Sequence, residues 1–408
     1  MDLHLLGMAH SPIGPEFCRD PYGDSMWALG KALIGEGHNV ILYGAEGTDT
    51  RCCNEFVQCI GADTTQRIYG HADRARYMFD SGKGWTVADE AWTEFKMRAA
   101  LELELRIRHT VPSVVLCSIG WAFEDWMARL SEKKHLVVEP MIGYGKTSAP
   151  FRVFTSKAWR HYTMAEDVAN KRVNPGSPSK GDAVIPYPLD MDLFEFQQEK
   201  GDYALFIGRV IPAKGVLFAA SACKKAGIPI KVVGQLPPEP DGANMRKQLD
   251  DLGAEWQQSV GPKERSNIIG KARMMVVPTI YCEPFGLVAA QAAACGTPCA
   301  VTTYGGLSET VVHGYTGYHC ATEYDLVNAL DQSGKIQPSL CRAWAEARFS
   351  CQSVGKLHTA YLKTITGVDA GLDWLHEPHP LEIIVALAQR KNSAAQGDPP
   401  ASPAPENR

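Results

Sequence analysis

Short apolar runs alternate with segments of helical periodicity along most of this chain, and this alternation constrains the fold more than any other feature. The runs are rich in β-branched residues and bounded by Gly, Pro or polar residues, which is typical of strands buried on both faces of a parallel sheet. Strand candidates of this kind lie at 3–8, 40–43, 114–117 and 136–139. A helix is predicted between them at 89–109, where apolar residues recur near helical spacing. The pattern predicts consecutive βαβ units.

A second series of apolar runs begins near Tyr203 and repeats the same organisation. Its strand candidates lie at 204–207, 231–233, 274–277 and 300–302. The 408 residues also exceed the size at which a single core stops growing, about 250–300 residues. The predicted fold class is therefore α/β, with two Rossmann-like doubly wound domains that face each other across a cleft.

The link between the two series is expected in a stretch rich in Pro and Gly at 174–190. We therefore assign residues 1–185 to a first domain and residues 186–369 to a second one. A C-terminal helix at about 370–392 is a candidate to pack back onto the first domain. The tail at 393–408 is polar and rich in Pro, so it is expected to be disordered.

The composition is that of an ordinary soluble globular protein, with 45% hydrophobic and 21% charged residues. The N-terminal stretch has no basic region and only a short apolar run, so we expect neither a signal peptide nor a membrane span, and a cytoplasmic location. Twelve cysteines are scattered along the chain without C-x-x-C spacing. They are expected to be reduced and mostly buried thiols rather than disulfides or zinc ligands.

The first strand candidate of the second series runs into a loop that reads GRVIPAKG, residues 208–215. It places Gly208, Arg209 and Lys214 at the carboxyl end of a strand, where open α/β sheets bind ligands. A guanidinium can hold a diphosphate with two hydrogen bonds, while an ammonium acts as a point charge. From this loop alone, a diphosphate site and a solvated surface loop are equally good interpretations.

A second loop begins at Glu283 in the stretch EPFGLVAAQAAACGTP and leads into a helix predicted at 287–295. The backbone N–H groups near Phe285, Gly286 and Leu287 have no partners within that helix. Helix starts of this kind bind anions. The N–H groups near Phe285, Gly286 and Leu287 are expected to face the same cleft as the cationic loop.

Two polar side chains belong to this second loop and its helix. The carboxylate of Glu283 can accept hydrogen bonds from sugar hydroxyls, and Gln291, about two helical turns further on, can present an amide to a vicinal diol. Without the cationic loop, a helix-capping acid and a surface amide would be the better interpretation.

Together these stretches resemble the family 4 group of retaining glycosyltransferases, the glycosyl transferases group 1. In that family the donor half carries G-R-x-x-x-x-K-G and E-P-F-G-x-x-x-x-E-A-x-x-x-G-x-P, which here read GRVIPAKG and EPFGLVAAQAAACGTP. The stretches at 183–194 and 305–318 are similar to further family landmarks, and the segment at 137–162 is similar to one in phage-like and environmental members. The resemblance implies the GT-B fold, with an acceptor domain at 1–185 and a nucleotide-sugar donor domain at 186–369.

The resemblance also implies a role for each residue that matches a motif. Arg209 and Lys214 would hold the diphosphate, with Gly208 beside them, and Glu283 would hold the transferred sugar. Gln291 stands where the family has a second acid that holds the ribose hydroxyls. An amide keeps one hydrogen bond to ribose but loses its charge assistance, so the resemblance leaves nucleotide affinity and base choice open.

The implied reaction is a retaining transfer of a sugar from a nucleoside-diphosphate sugar, with a UDP-sugar as the expected donor, to an acceptor hydroxyl. The sequence places no carboxylate as a covalent nucleophile, so same-face attack assisted by the departing phosphate is favoured. Arg209, Lys214 and the helix start would stabilise the charge of the leaving diphosphate. Neither a metal ion nor a cofactor is required, and the DMD at 190–192 is interpreted as a linker.

The first half of the chain offers weaker candidates. The loop AHSPIGPEFCRDPYGD after the first strand carries Gly14, assigned to the donor side, and His10 and Arg19, assigned to the acceptor side. Glu139 directly follows a strand candidate and is a catalytic candidate that would orient the acceptor or the sugar. For each of them a structural role is the better interpretation of the sequence.

Basic and aromatic residues are interleaved at 144–162, and residues 131–180 hold nine Lys or Arg against four acids in a chain of net charge −5. The acceptor candidates in this segment are Arg152, Lys157, Trp159 and Arg160. Such a pattern can bind a phosphate backbone and stack on bases, which favours a hydroxymethylated base in DNA as a phage-type acceptor. A helix with core aromatics and solvated cations explains the same pattern.

The sequence is also compatible with other functions. A glycan, lipid or small-molecule acceptor suits the resembled family at large, and a non-catalytic nucleotide-sugar-binding protein would explain Gln291. An epimerase or phosphorylase with the same layout is less favoured, because no lysine stands in a cofactor-binding context. The sequence leaves open the sugar and base of the donor, the acceptor and the oligomeric state.

Overall fold

The computed structural model describes residues 1–15, 21–69, 90–107, 113–132, 135–170 and 181–367, together with Ile383 and Ala386. Within these residues, thirteen strands form two sheets, and every strand pairing inside each sheet is parallel. The predicted tail at 393–408 and most of the predicted helix at about 370–392 lie outside the described residues.

The first sheet has the strand order β3-β2-β1-β4-β5-β6-β7. Its strands are β1 (Asp2–Leu6), β2 (Asn39–Ala45), β3 (Glu55–Ile60), β4 (Val114–Cys117), β5 (Leu136–Ile142), β6 (Phe151–Phe154) and β7 (Ala183–Val184). The helices of this part are α1 (Pro21–Gly35), α2 (Ala62–Tyr69), α3 (Glu90–Arg106), α4 (Glu124–Glu132) and α5 (Lys157–Ala169).

The second sheet has the strand order β10-β9-β8-β11-β12-β13. Its strands are β8 (Ala204–Ile207), β9 (Ile230–Val233), β10 (Glu255–Gln257), β11 (Met274–Val277), β12 (Cys299–Val301) and β13 (Gly317–His319). The helices of this part are α6 (Val216–Ala226), α7 (Asp241–Asp251), α8 (Pro262–Lys271), α9 (Leu287–Ala294), α10 (Leu307–Thr310), α11 (Glu323–Asp331), α12 (Pro338–Phe349) and α13 (Cys351–Thr366).

Both sheets have a point where the strand order reverses, between β1 and β4 in the first and between β8 and β11 in the second. Loops that leave the carboxyl ends of two such strands run to opposite faces of the sheet and open a crevice between them. The predicted α/β fold with two doubly wound sheets is confirmed, and it directs attention to the loops that follow these four strands.

The chain crosses between the two sheets at two neighbouring places. Leu189 lies in the first crossing, and its backbone N–H donates to Phe349 O at 2.6 Å. Cys351 N donates back to Leu189 O at 3.0 Å, so the two crossings are hydrogen-bonded to each other. This pairing ties residues at the end of α12 and the start of α13 to the link between the sheets.

After the second crossing, α13 packs against the helices of the first sheet. Cys351 Sγ donates to Ala28 O of α1 at 3.4 Å, and Tyr361 OH donates to Gly181 O at 2.6 Å. A Cβ on Gly355 would lie 2.6 Å from Ala32 O, so glycine lets α13 approach α1 closely. The domain boundaries predicted at 185 and 369 remain predictions, and α13 is the element before 369 that contacts the first sheet's helices.

Candidate active site

A cavity of about 520 Å³ lies between the two sheets, a volume typical of small-molecule sites. The loops that follow the four reversal-point strands form part of its walls. Met8 and Trp121 come from the first sheet, and Arg209 and Glu283 come from the second. Residues that are far apart in sequence therefore meet at one site.

The loop after β8 carries the two predicted cations into this cavity. Arg209 is exposed, and the side chain of Lys214 is 21% exposed. The loop ends at Gly215, whose φ of 72° is left-handed and where a Cβ would lie 2.0 Å from Pro278 O. Glycine therefore allows the cationic loop to contact the loop that follows β11.

Glu283 and Lys214 form an ion pair in the cavity, with Lys214 Nζ 2.7 Å from Glu283 Oε2. Tyr281 joins this pair: its hydroxyl accepts from Lys214 Nζ and donates to Glu283 Oε2. Burial, followed by the charge of Glu283, raises the pKa of Tyr281, so the phenol stays protonated and donates. Sequence reasoning missed Tyr281, because nothing in its position two residues before Glu283 shows that its side chain reaches Lys214.

The backbone of Glu283 is fixed by the loop that follows β12. Glu283 N donates to Tyr304 O at 3.0 Å, and Gly306 N donates to Glu283 O at 2.7 Å. A Cβ on Gly305 would lie 2.2 Å from Glu283 O. The two adjacent glycines therefore let this loop lie directly against the backbone that carries the carboxylate.

The start of α9 faces the cavity with unpaired backbone donors. Gly286, Leu287 and Val288 line the cavity, and their N–H groups make no hydrogen bond within the part of the chain that the structure describes. Such donors at a helix N-terminus favour an anion. Phe285 is not among the cavity-lining residues, and its ring, 3% exposed, packs against Tyr187 with centroids 5.2 Å apart. The expected donor at this residue is its backbone N–H, and that role stays a prediction.

Gln291 lies on α9 and lines the same cavity while being only 2% exposed. Its side chain makes no hydrogen bond to any other described residue. A buried amide normally has a partner, so an amide at the wall of a cavity is suited to bind a polar group of a ligand.

A second ion pair spans the cavity between the two sheets. Arg265 Nη2 of α8 lies 3.2 Å from Asp24 Oδ2 of α1, and each side chain is 11% exposed. Both residues line the cavity. Sequence reasoning did not select Arg265, since 241 positions separate it from Asp24 and no local pattern shows the contact.

The structure does not place Glu139 in the cavity, which corrects its assignment as a catalytic candidate. Glu139 is fully buried, and its carboxylate accepts from Tyr144 OH at 2.6 Å. It also accepts from the backbone N–H groups of Gly120, Ser148 and Ala149 at 3.1, 2.9 and 3.1 Å. Burial is the main cause that raises the pKa of Glu139. The carboxylate of Glu139 is therefore used in hydrogen bonds that hold neighbouring loops together.

Two of the acceptor candidates from the basic and aromatic segment, Arg152 and Trp159, make contacts within the protein instead. Arg152 is 8% exposed and pairs with Asp167 and Asp182, each at 2.8 Å. Trp159 is 8% exposed and stacks on Tyr162 with ring centroids 4.8 Å apart. Trp159 lies on α5 and matches the interpretation of a helix with core aromatics, whereas Arg152 lies in β6 and is buried in ion pairs rather than solvated. Neither side chain is available to an acceptor.

The remaining candidates of the first half of the chain do not lie together at one site. Lys157 is exposed at the start of α5, and Arg160 Nε lies 3.8 Å from Asp182 Oδ2. His10 lines the cavity and is 4% exposed. Gly14 is buried and is not among the cavity-lining residues, and Arg19 lies outside the described residues.

The DMD interpreted as a linker has structural partners. Asp190 Oδ2 lies 2.6 Å from Lys31 Nζ, and Asp190 Oδ1 accepts from the backbone N–H of Asp192 at 3.4 Å. Among the described residues, no group of three or more His, Cys, Asp and Glu is arranged to hold a metal ion. In the same residues, every cysteine is a free thiol, and no helix is long and apolar enough to cross a membrane.

Residues 193–348, which contain the two loops and α9, match the family described as glycosyl transferases group 1. The matched residues include all the strands of the second sheet. They also include Arg209, Lys214, Glu283 and Gln291, which the structure brings to the cavity.

Curated relatives are similar to about a third of this chain. A D-inositol 3-phosphate glycosyltransferase of Mycolicibacterium paratuberculosis (strain ATCC BAA-968 / K-10) is 34% identical over 152 residues, 35% of this chain and 32% of that protein. A lipopolysaccharide 1,2-N-acetylglucosaminetransferase of Salmonella typhimurium (strain LT2) is 32% identical over 136 residues, 30% of this chain and 36% of that protein. The similarity therefore spans about a third of these relatives.

Solved structures resemble most of the chain. AviGT4, a glycosyltransferase involved in avilamycin A biosynthesis, has a TM-score of 0.65 at 18% identity and covers 90% of this chain and 98% of its own. Anabaena Alr3699/HepE in complex with UDP and glucose has a TM-score of 0.61 at 14% identity, over 89% and 100%. At such identities the likeness concerns the fold alone, and it confirms the GT-B fold.

Proposed function

We propose that the protein transfers a sugar from a nucleoside-diphosphate sugar to an acceptor hydroxyl. The observation that carries this proposal is the convergence of Arg209, Lys214 and the unpaired N–H groups at the start of α9 on one cavity. Cations and helix N–H groups together form a site for a diphosphate. The match of residues 193–348 to a glycosyltransferase family supports the same ligand.

The donor fits this site with its sugar near Glu283 and its nucleoside toward Gln291. Glu283 accepts from sugar hydroxyls, and its ion pair with Lys214 places it beside the diphosphate. Gln291 hydrogen-bonds the ribose through its amide. A UDP-sugar is the donor we expect, and a solved structure with the same fold was determined in complex with UDP and glucose.

We infer that the transfer proceeds with retention at the anomeric carbon. The carboxylates among the described cavity-lining residues are Asp24 and Glu283, and each already pairs with a cation. Neither is a free nucleophile that could form a covalent glycosyl intermediate. Arg209, Lys214 and the start of α9 stabilise the charge that develops on the leaving diphosphate. Without a covalent nucleophile, we infer that the acceptor attacks the same face of the sugar.

A hydroxymethylated base in DNA, expected from the basic segment and from its likeness to phage-like members, receives less support. Arg152 and Trp159, two of its proposed contacts, are engaged within the protein. Lys157 and Arg160 retain exposed surface, but they are not among the cavity-lining residues. An acceptor small enough to enter the cavity is the better proposal.

The proposal is tested with a panel of nucleotide sugars and differential scanning fluorimetry. A ligand that binds the folded state raises its melting temperature by mass action, so the true donor should produce the largest shift. Arg209→Ala should reduce that shift. NMR of the transfer product should then show the donor's anomeric configuration. A panel without any shift, or a product with inverted configuration, would contradict the donor or the retaining assignment respectively.

A non-catalytic sensor is the alternative that Gln291 favours, since Gln291 stands in place of the family's second acid. The sensor would bind a nucleotide sugar in the same panel. It would show neither transfer nor slow hydrolysis of the donor. Detection of either activity therefore excludes it.

A further inference from the structure

The wall of the cavity that belongs to the first sheet contains three large aromatic side chains. Tyr22, Trp121 and Tyr144, here called the aromatic wall, line the cavity together with Met8 and Ile119. The rings of Tyr22 and Tyr144 have centroids 5.7 Å apart at an angle of 54°. All three aromatic residues are only partly buried, so the wall presents ring surface to the cavity.

The buried carboxylate of Glu139 holds this wall in place. It accepts from Tyr144 OH and from the backbone N–H of Gly120, the residue before Trp121. A Cβ on Gly120 would lie 2.2 Å from the carboxyl carbon of Glu139, so the carboxylate lies directly against this loop. A buried, fully satisfied group of this kind makes the surrounding structure rigid. Glu139 is a positioning residue for the aromatic wall.

The aromatic wall lies beside the turn that carries Glu283. A Cβ on Gly143 would lie 3.3 Å from Pro284 Cβ and 3.5 Å from Tyr22 OH, so Tyr22 and Pro284 flank the same point. Ser156 Oγ donates to Pro284 O at 2.6 Å and ties the first domain to this turn. A molecule on the wall is therefore next to the sugar that Glu283 holds in the proposed function.

The charge on this side of the cavity also restricts the occupant. Among the described cavity-lining residues of the first domain, Asp24 is the acid and His10 the ionisable base, and none is Lys or Arg. Arg265 faces Asp24 and is balanced by it. A phosphorylated acceptor in this part of the cavity would face the acid Asp24. Among the described lining residues, the first domain supplies no lysine or arginine to bind its phosphate.

We propose that the aromatic wall binds an uncharged acceptor with a flat apolar ring face, as in a sugar pyranoside or a phenol. The inference rests on the proposed function and names its acceptor. Aromatic rings bind both through van der Waals contact and stacking. The acceptor oxygen forms a bond to the anomeric carbon, and the bond from that carbon to the diphosphate oxygen breaks. The electron pair leaves with the diphosphate, which takes the hydroxyl proton.

The test is a transfer assay with the donor selected by the thermal-shift panel and four acceptors. Methyl β-D-glucopyranoside and 4-methylumbelliferone are the neutral probes and distinguish a sugar from a phenol. D-inositol 3-phosphate and a duplex containing 5-hydroxymethylcytosine are the anionic ones. Transfer to at least one neutral probe is expected. Transfer to the anionic probes alone, or none to the neutral probes while the donor is hydrolysed, overturns the inference; absence of donor binding overturns the proposed function instead.

Variants of the wall provide a second readout. Trp121→Ala should raise KM for the neutral acceptor about tenfold, because a partly exposed ring platform is lost, and should change KM for the donor much less. Tyr144→Phe keeps the ring but loses the bond to Glu139, and should produce a smaller rise. Tyr324→Ala, which removes an aromatic side chain 73% exposed on α11, is the matched control. An unchanged acceptor KM in Trp121→Ala contradicts the inference.

Discussion

At the scale of single residues, four charged groups of the cavity are held in two ion pairs. Lys214 pairs with Glu283 and Arg265 pairs with Asp24, and all four side chains are 21% exposed or less. Removing one member of a largely buried pair leaves its partner uncompensated, at a cost of about 3–5 kcal/mol. A substitution in the site therefore changes stability as well as binding, and each test needs a stability measurement beside it.

Sequence reasoning found the motif residues because a strand followed by a loop and a helix fixes where they lie. Arg209, Lys214, Glu283 and Gln291 all reach the cavity. It failed where burial decides the role, as for Glu139, whose carboxylate is surrounded by backbone donors. Contacts made by packing of distant elements leave no pattern in a single sequence.

Gln291→Glu is predicted to tighten binding of the nucleoside diphosphate about tenfold above neutral pH, since a carboxylate makes charge-assisted hydrogen bonds to ribose hydroxyls. Position 291 is only 2% exposed, so burial will raise the pKa of the new carboxyl. The gain should therefore shrink as the pH falls. Calorimetric titration at pH 6 and pH 8 measures both effects. The exposed substitution Gln352→Glu is the control, and equal affinities for variant and wild type at both pH values would contradict the role in ribose binding.

At the scale of elements, central strands were predicted well and edge strands poorly. β4, β8 and β11 lie in the middle of their sheets and are buried on both faces, so their sequences are continuous apolar runs. β3 and β10 are edge strands with exposed residues, and the sequence analysis missed both. Their apolar runs are too short or too interrupted to stand out.

β6 was missed for a different reason, since it contains a charged residue. Arg152 lies in its centre and is satisfied by Asp167 and Asp182, two residues that the local sequence does not connect with it. The helix predicted at 287–295 begins at the same residue in the structure and ends one residue earlier. α9 ends at Ala294, and Cys299 begins β12, because the Gly-Thr-Pro stretch after the helix ends it.

Gly286→Ala is predicted to weaken diphosphate binding and destabilise the fold. Gly286 has a φ of 88°, and a Cβ there would lie 2.3 Å from Leu307 Cδ2, so the substitution displaces the start of α9. Gly253→Ala is the matched control, because Gly253 has a φ of 75° but no atom within 4 Å of the added Cβ. The control carries only the left-handed backbone cost, about 1–2 kcal/mol. Chemical denaturation and calorimetry should show the larger loss in Gly286→Ala; equal losses would contradict the steric explanation.

At the scale of the whole molecule, helix α13 and contacts across the cleft hold the two domains, here also called lobes, together. Glu309 of the second lobe accepts from Lys157 N at 2.9 Å and from Ala158 N at 2.8 Å, so it caps α5 of the first lobe. Sequence periodicity predicted two similar lobes. It did not predict this contact, because a helix cap supplied from 151 residues away has no local signature.

The stability of the whole molecule should fall in mild acid because three histidines are buried. Burial is the main cause that lowers the pKa of His4, His38 and His358 to about 4. Unfolding restores a pKa near 6.5, so the unfolded chain binds more protons below that pH, and stability decreases from about pH 6.5 towards pH 4. Each histidine contributes at most about 1.4 kcal/mol per pH unit.

Denaturant unfolding at several pH values measures this dependence. His358→Gln should flatten the profile between pH 6.5 and pH 4, whereas the same change at His161, which is exposed on α5, should leave its slope unaltered. Identical slopes for His358→Gln and wild type would show that His358 does not contribute to acid lability.

The central claim is that two cations and the start of α9 bind one diphosphate between two Rossmann-like lobes. Calorimetric titration with the nucleoside diphosphate of the selected donor tests it most directly. Arg209→Ala and Lys214→Ala should each weaken binding about 10- to 100-fold, as expected for the loss of a charge-assisted hydrogen bond. Lys225→Ala, which removes a surface lysine paired with Glu323, should bind as wild type does. Wild-type affinity in both Arg209→Ala and Lys214→Ala would contradict the account.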